Sequence, residues 1–146
     1  MHDTHQHPDA ATEALTRATV LLTYAEMNSA AHQIAALLAR EVPHGAFLDL
    51  EHSDQGDWLA THSLHGASGD LICQTSNLTA LLLGTLETYA CHLYTGHLAC
   101  LPGTLDSPVA DVRLDLPLTL AHSQQLARDT LQHVTLEVVA IPQHFC

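Results

Sequence analysis

Lysine is absent from this 146-residue sequence, and its four basic residues are all arginine: Arg17, Arg40, Arg113 and Arg128. Without an amine there is no Walker lysine, no Schiff-base or pyridoxal chemistry and no lysine-dependent nuclease site. Sixteen Asp and Glu against those four arginines give a formal net charge of -12. Phosphate backbones and anionic membrane surfaces are repelled by such a chain, and four scattered arginines cannot form a basic stripe, so neither nucleic acid nor membrane is an expected partner. Long apolar runs are missing as well, and none approaches the roughly 20 residues of a membrane span. There is no H-E-x-x-H, no G-x-G-x-x-G, no Gly-rich phosphate loop and no C-x-x-C pair. Metalloprotease and nucleotide-binding readings therefore lack their physical parts. Gly66-Ala67-Ser68-Gly69-Asp70 matches a nucleophile elbow only loosely, because position 70 is Asp where that turn needs Gly, and it reads as a turn.

What is present is a chain with 47 % hydrophobic and 14 % charged residues, which excludes the disordered class and fits one core of ordinary size. The start MHDTHQHPDA has neither a basic nor an apolar signal region, so a cytoplasmic location is expected, and the four cysteines (Cys73, Cys91, Cys100, Cys146) read as reduced thiols. The lysine-free, Ala-, Leu-, Thr- and His-rich composition also resembles the translation of a GC-rich genome. Thirteen histidines titrate near neutrality when unperturbed, so the negative charge shrinks on mild acidification and solubility should fall near pH ~5.

Residues 1–8 are polar, His-rich and closed by Pro8, and read as a mobile tail; residues 9–146 read as a single domain, opening at Asp9 or Thr12 as a helix cap. A helical pattern runs to about Val42, where Pro43 and Gly45 stop it. Its apolar face changes on the way. Ala11, Ala14, Leu15, Ala18, Leu21, Leu22 and Ala25 share one side, while Met27, Ala30, Ala31, Ile34, Leu37 and Leu38 lie half a turn round. Either two helices meet near Asn28-Ser29, or one long helix buries its first half against something other than its own core, such as a second copy.

Residues 46–65 predict a β-hairpin about Asp54-Gln55-Gly56-Asp57, with Ala46, Leu48, Leu50, Trp58, Ala60, Leu64, His52 and His62 on the apolar face. Asp49, Glu51, Thr61, Ser63 and His65 fall on the opposite, wet face. Leu71 to Cys73 is a candidate edge strand. A second helix is expected from a cap at Ser76 or Asn77 to about Tyr94, burying Leu78, Leu82, Leu86, Tyr89 and Leu93 and turning Glu87, Thr88, Cys91 and Thr95 away. A loop over 97–108, a strand at 112–116 ended by Pro117, a helix over 123–133 capped by Ser123 and a strand over 135–141 complete the order. The fold class that fits is α+β: a mostly antiparallel sheet of three to five strands, covered on one face by helices, with a long N-terminal helix.

Three sets of residues carry candidate chemistry. His2, His5 and His7 beside a free amine make a copper or nickel site, with a solvated tail as the competing reading. Cys91, His92, His97 and Cys100 hold the ligand types of a zinc site, but adjacent Cys91 and His92 point about 100° apart on a helix, and a surface thiol with a buried one is the plainer account. His52 and His62 on the apolar sheet face are candidate general bases between sheet and helices, or hydrogen-bonded core residues. The acidic cluster Asp49, Glu51, Asp54 and Asp57 lacks a calcium-loop ladder and reads as a solvated edge that blocks strand addition. The function expected from the whole is that of a small, acidic, non-catalytic protein with an accessory or regulatory role, acting through protein contacts. It would form a homodimer through the displaced helix face, and its acidic surface suits a basic protein partner. A metal-binding or metal-sensing protein (zinc, nickel or copper) and an enzyme built round His52 or His62 are the alternatives.

Overall fold

The computed structural model describes the backbone of residues 2–140 and the side chains of residues 9–126, 128 and 129. The fold is α+β, with a five-stranded antiparallel sheet in the order β3-β2-β1-β5-β4. The strands are β1 (Phe47–His52), β2 (Leu59–His65), β3 (Leu71–Gln74), β4 (Thr104–Asp106) and β5 (Val112–Asp115); the helices are α1 (His2–Glu41), α2 (Ala80–Ala90) and α3 (Leu116–Ala140). Short 3-10 turns occupy Thr75–Asn77 and Thr95–Cys100. No helix among the described residues is long and apolar enough to cross a membrane.

α1 is one helix of 40 residues, so the change of face near Asn28 is not a break. Its second half is the spine of the core. Met27, Ala30, Ala31, Ile34, Ala35 and Leu38 are buried with Leu48, Leu50, Leu64 and Leu114 of the sheet, Leu86 and Ala90 of α2, and Leu93 just beyond it. Burying each large aliphatic side chain contributes roughly 1.5–3 kcal/mol, so this half is fixed by packing. Asn28 is buried within it and donates through Nδ2 to the carbonyls of Tyr24 (2.9 Å) and Cys100 (3.2 Å), tying the helix to the 3-10 segment.

The hairpin forms where expected, but its register slips. Leu48 pairs with Leu64 and Asp49 with Ser63, then a bulge intervenes and Leu50 pairs with Thr61. A one-residue slip moves every later side chain to the other face. Leu59 and Thr61 thus take the core positions expected for Trp58, Ala60 and His62, and both are buried.

β3 covers only the end of β2 from Ser63 onward, which leaves the backbone of Leu59–Thr61 at an open edge. The structure closes it with non-strand acceptors. Leu59 N–H donates to the Leu93 carbonyl (3.0 Å), Trp58 bridges to Tyr94, and Thr61 N–H donates to Glu87 Oε1 (2.9 Å). The Thr61 hydroxyl also donates to Glu87 Oε1, and its oxygen lies 3.0 Å from Thr75 Oγ1, whose own proton goes to the His62 carbonyl. Glu87 therefore faces the sheet, not solvent as its helical phase suggested; an edge that would otherwise recruit another chain is satisfied from within.

Other departures have simple causes. α2 begins later than Ser76 because Thr79, not Ser76 or Asn77, accepts the Leu82 N–H (3.3 Å). α3 begins at Leu116, before the expected Ser123, because Asp115 Oδ1 accepts the Leu118 N–H (2.9 Å) and Pro117, lacking an N–H, suits a first helical turn. The strand expected over 135–141 is helix through Ala140. β-branched residues cost a helix only a few tenths of a kcal/mol each, and each residue added to an existing helix gains a hydrogen bond. Residue 141 lies outside the described residues. β4 falls in the expected loop, where Gly103, buried, lets the chain pass against Thr119.

Candidate functional site

The first half of α1 leaves the body. Every described side chain from Asp9 to Leu22 is exposed, and Leu15, Leu21 and Leu22 stand 69 %, 68 % and 70 % open. All seven residues of the expected interface stripe, Ala11, Ala14, Leu15, Ala18, Leu21, Leu22 and Ala25, are exposed on this segment. At 100° per residue the stripe points away from the side that Met27, Ile34 and Leu38 bury, so the fold provides nothing to cover it. The segment is kept helical by composition: it holds no Gly, is rich in Ala and Leu, and carries a Glu13–Arg17 pair one turn apart (3.8 Å). Thr16 and Thr19 donate to the carbonyls of Thr12 and Leu15, so their hydroxyls are satisfied within the helix.

Where this segment meets the body, three polar side chains converge. Glu26 Oε2 accepts from the Tyr94 hydroxyl and lies 2.8 Å from His92 Nδ1. Tyr94 holds the Glu26 carboxyl below the usual carboxylate range, with His92 adding to it, and the same bond pushes the Tyr94 hydroxyl up. His92 turns Nδ1 to the carboxylate, so its other ring nitrogen, Nε2, points away from that contact. The ring lines a shallow groove of about 300 Å³ with Glu26, Ser29, Ala30, Gln33 and Tyr89. Sequence reasoning singled out His92 but not Glu26 or Tyr94. No linear signal connects them, since Glu26 and His92 are 66 positions apart.

The sheet face expected to be wet holds a buried charge cluster. Asp49, fully buried, accepts from Arg113 Nε (2.7 Å) and Nη2 (2.9 Å), and the Phe47 ring covers the guanidinium at 4.9 Å. His65 Nε2 lies 3.0 Å from Asp49 Oδ2, and its Nδ1 faces the Gly69 carbonyl at 3.2 Å. Ser63 Oγ is 2.9 Å from both His65 Nε2 and His62 Nδ1. Asp49 pushes the Arg113 guanidinium further toward its charged form. Serine, histidine and aspartate meet here, yet Ser63 and Asp49 contact the same ring nitrogen and Ser63 is buried. A relay needs the two on opposite nitrogens, so the cluster is structural.

The remaining candidates are dispersed. His52 is exposed at the end of β1, its backbone N–H held by Asp111 Oδ2 (2.8 Å), and His62 sits half-buried at the bulge. The two do not share an apolar pocket. Cys91 ends α2 with its thiol on the Thr88 carbonyl (3.0 Å), His92 is engaged by Glu26, His97 is exposed and Cys100 is half-buried. Among the described residues no three His, Cys, Asp or Glu side chains group as metal ligands. The side chains of His2, His5 and His7 lie outside the described residues. No protein-family profile, curated protein or solved structure matches this chain.

Proposed function

We propose that this is a small, acidic, non-catalytic cytoplasmic protein of accessory or regulatory role that works through protein contacts and assembles as a homodimer through the first half of α1. One observation carries the reading: an apolar helical stripe with three leucines about two-thirds open, on a segment the rest of the fold leaves bare. Closed two-fold assembly is the commonest fate of such a self-complementary surface. The acidic remainder of the surface suits a basic partner, whose binding would weaken as salt rises.

Light scattering and native mass spectrometry of untagged protein test the reading together. The expected result at tens of micromolar is a species of twice the 15.8 kDa chain mass without stoichiometric metal. A monomer at high micromolar concentration overturns the dimer, and one tightly held zinc, nickel or copper per chain overturns the ranking in favour of a metal-binding protein. Fully burying a leucine is worth roughly 1.5–3 kcal/mol, and both copies lose it in a variant. Leu21→Asp should therefore raise the dimer Kd at least about a hundredfold.

A further inference from the structure

We infer that the two copies pair antiparallel, with their α1 first halves side by side and the folded bodies at opposite ends. This rests on the dimer proposed above and specifies its geometry. The stripe repeats in sevens: Ala11, Ala18 and Ala25 recur at one position of the heptad, Ala14 and Leu21 at the next apolar one, and Leu15 and Leu22 immediately beside the seam. Asn28 would continue it, but that side chain is buried inside its own body, so the seam ends at Ala25.

A parallel pair sets each residue against its own copy. Ala11, Ala14, Ala18 and Ala25 would then form four small-against-small layers, Leu21 would meet Leu21, and Leu22 would flank the charged Arg17 of the second copy. An antiparallel pair places Ala18 against Leu21 of the second copy, and Ala14 against Ala25. Large then meets small at the centre, as close packing requires, and the closely approaching alanines lie at the ends. The flanks improve too. Leu15 faces Leu22 of the second copy, and Arg17 lies beside its Tyr24, a half-buried ring on which a guanidinium can stack. Charge points the same way, because two chains of net charge -12 repel least with their bodies at the ends of the paired stretch Ala14 to Ala25, roughly 18 Å long at 1.5 Å per residue.

The full-length double variant Ala14→Cys/Ala25→Cys tests this under mild oxidation, with peptide mass mapping to separate new links from those of the native thiols. Both positions are exposed on the helix, so the fold is kept; circular dichroism checks it. A disulfide needs Cα atoms about 4.4–6.8 Å apart, a distance reached at an alanine layer but not between the far ends of the seam. The expected product joins position 14 of one chain to position 25 of the other, while neither single variant links to itself. Links of 14 to 14 or 25 to 25, or no 14-to-25 link in a sample that scatters as a dimer, overturn the antiparallel geometry and leave the dimer standing. A reduced sample that scatters as a monomer overturns both.

Discussion

Asp49 is the residue on which the outer sheet face depends. Its carboxylate is fully buried and is held by two Arg113 nitrogens and by His65, so Asp49→Ala leaves a largely covered guanidinium without its counter-ion. Removing one partner of a buried pair costs about 3–5 kcal/mol, and urea denaturation should show a loss of that size. A loss below about 1 kcal/mol would mean that Arg113 re-solvates freely, as an exposed pair does. Glu26 makes a contrasting, exposed contact. Because Tyr94, and after it His92, lower its pKa in the folded state, the stabilisation is present above the ordinary carboxylate range and is lost as pH falls through the lowered value. At the other end of the bond the Tyr94 pKa is raised, so the contact is present below the ordinary tyrosine range and lost as pH rises through the raised value. A carboxyl-carbon NMR titration should place the Glu26 midpoint higher in Tyr94→Phe than in the parent; equal midpoints would dismiss the bond. Neither cluster was legible in the sequence, because Asp49 and Arg113 are 64 positions apart and Glu26 and Tyr94 are 68. Alternation along β1 did place Asp49 and Leu48 on opposite faces, but alternation reports direction and not what covers a face.

At the scale of elements, the free half-edge of β2 separates what pattern could predict from what it could not. The hairpin, its turn and β3 follow from alternation and turn residues, whereas the bulge and the inward turn of Glu87 arise from fitting α2 against an incompletely paired strand. Glu87→Ala should cost about 1–3 kcal/mol through the unsatisfied Thr61 N–H and speed hydrogen exchange at that amide, while exchange at Leu64, inside the ladder, stays slow. An unchanged Thr61 amide would show that the carboxylate contributes nothing to the edge. Gly103 sets the approach of β4 to α3. A Cβ there would lie 2.3 Å from Thr119 Oγ1 and 3.3 Å from the Asp115 carbonyl. Gly103→Ala is accordingly expected to lower stability by about 1–3 kcal/mol, read as a shifted Tm. A Tm equal to the parent's would mean that Thr119 simply rotates away.

For the whole molecule, charge and histidine content dominate solution behaviour. Thirteen histidines against a net charge of -12 and an isoelectric point near 5.3 predict a solubility minimum close to that pH, checked by turbidity across a pH series at low salt. A chain fully soluble through that range would show that the charge is too unevenly spread for net neutrality to govern association. Composition and periodicity by themselves determined the fold class, the existence of the hairpin, the stop of α1 before Pro43 and the change of its apolar face, since each depends on side chains near in sequence; the start of α1 was not among them, because the helix runs from His2 where a tail was expected to Pro8. Tertiary structure decided that α1 is continuous and that its first half stands free. It also decided that Thr61 and Leu59 replace His62 and Ala60 in the core, and that Asp49 and Glu26 gain their partners. Those outcomes depend on which distant surfaces meet: a slip of one residue in register or the cover over one sheet edge is settled by packing between elements, which no local pattern encodes.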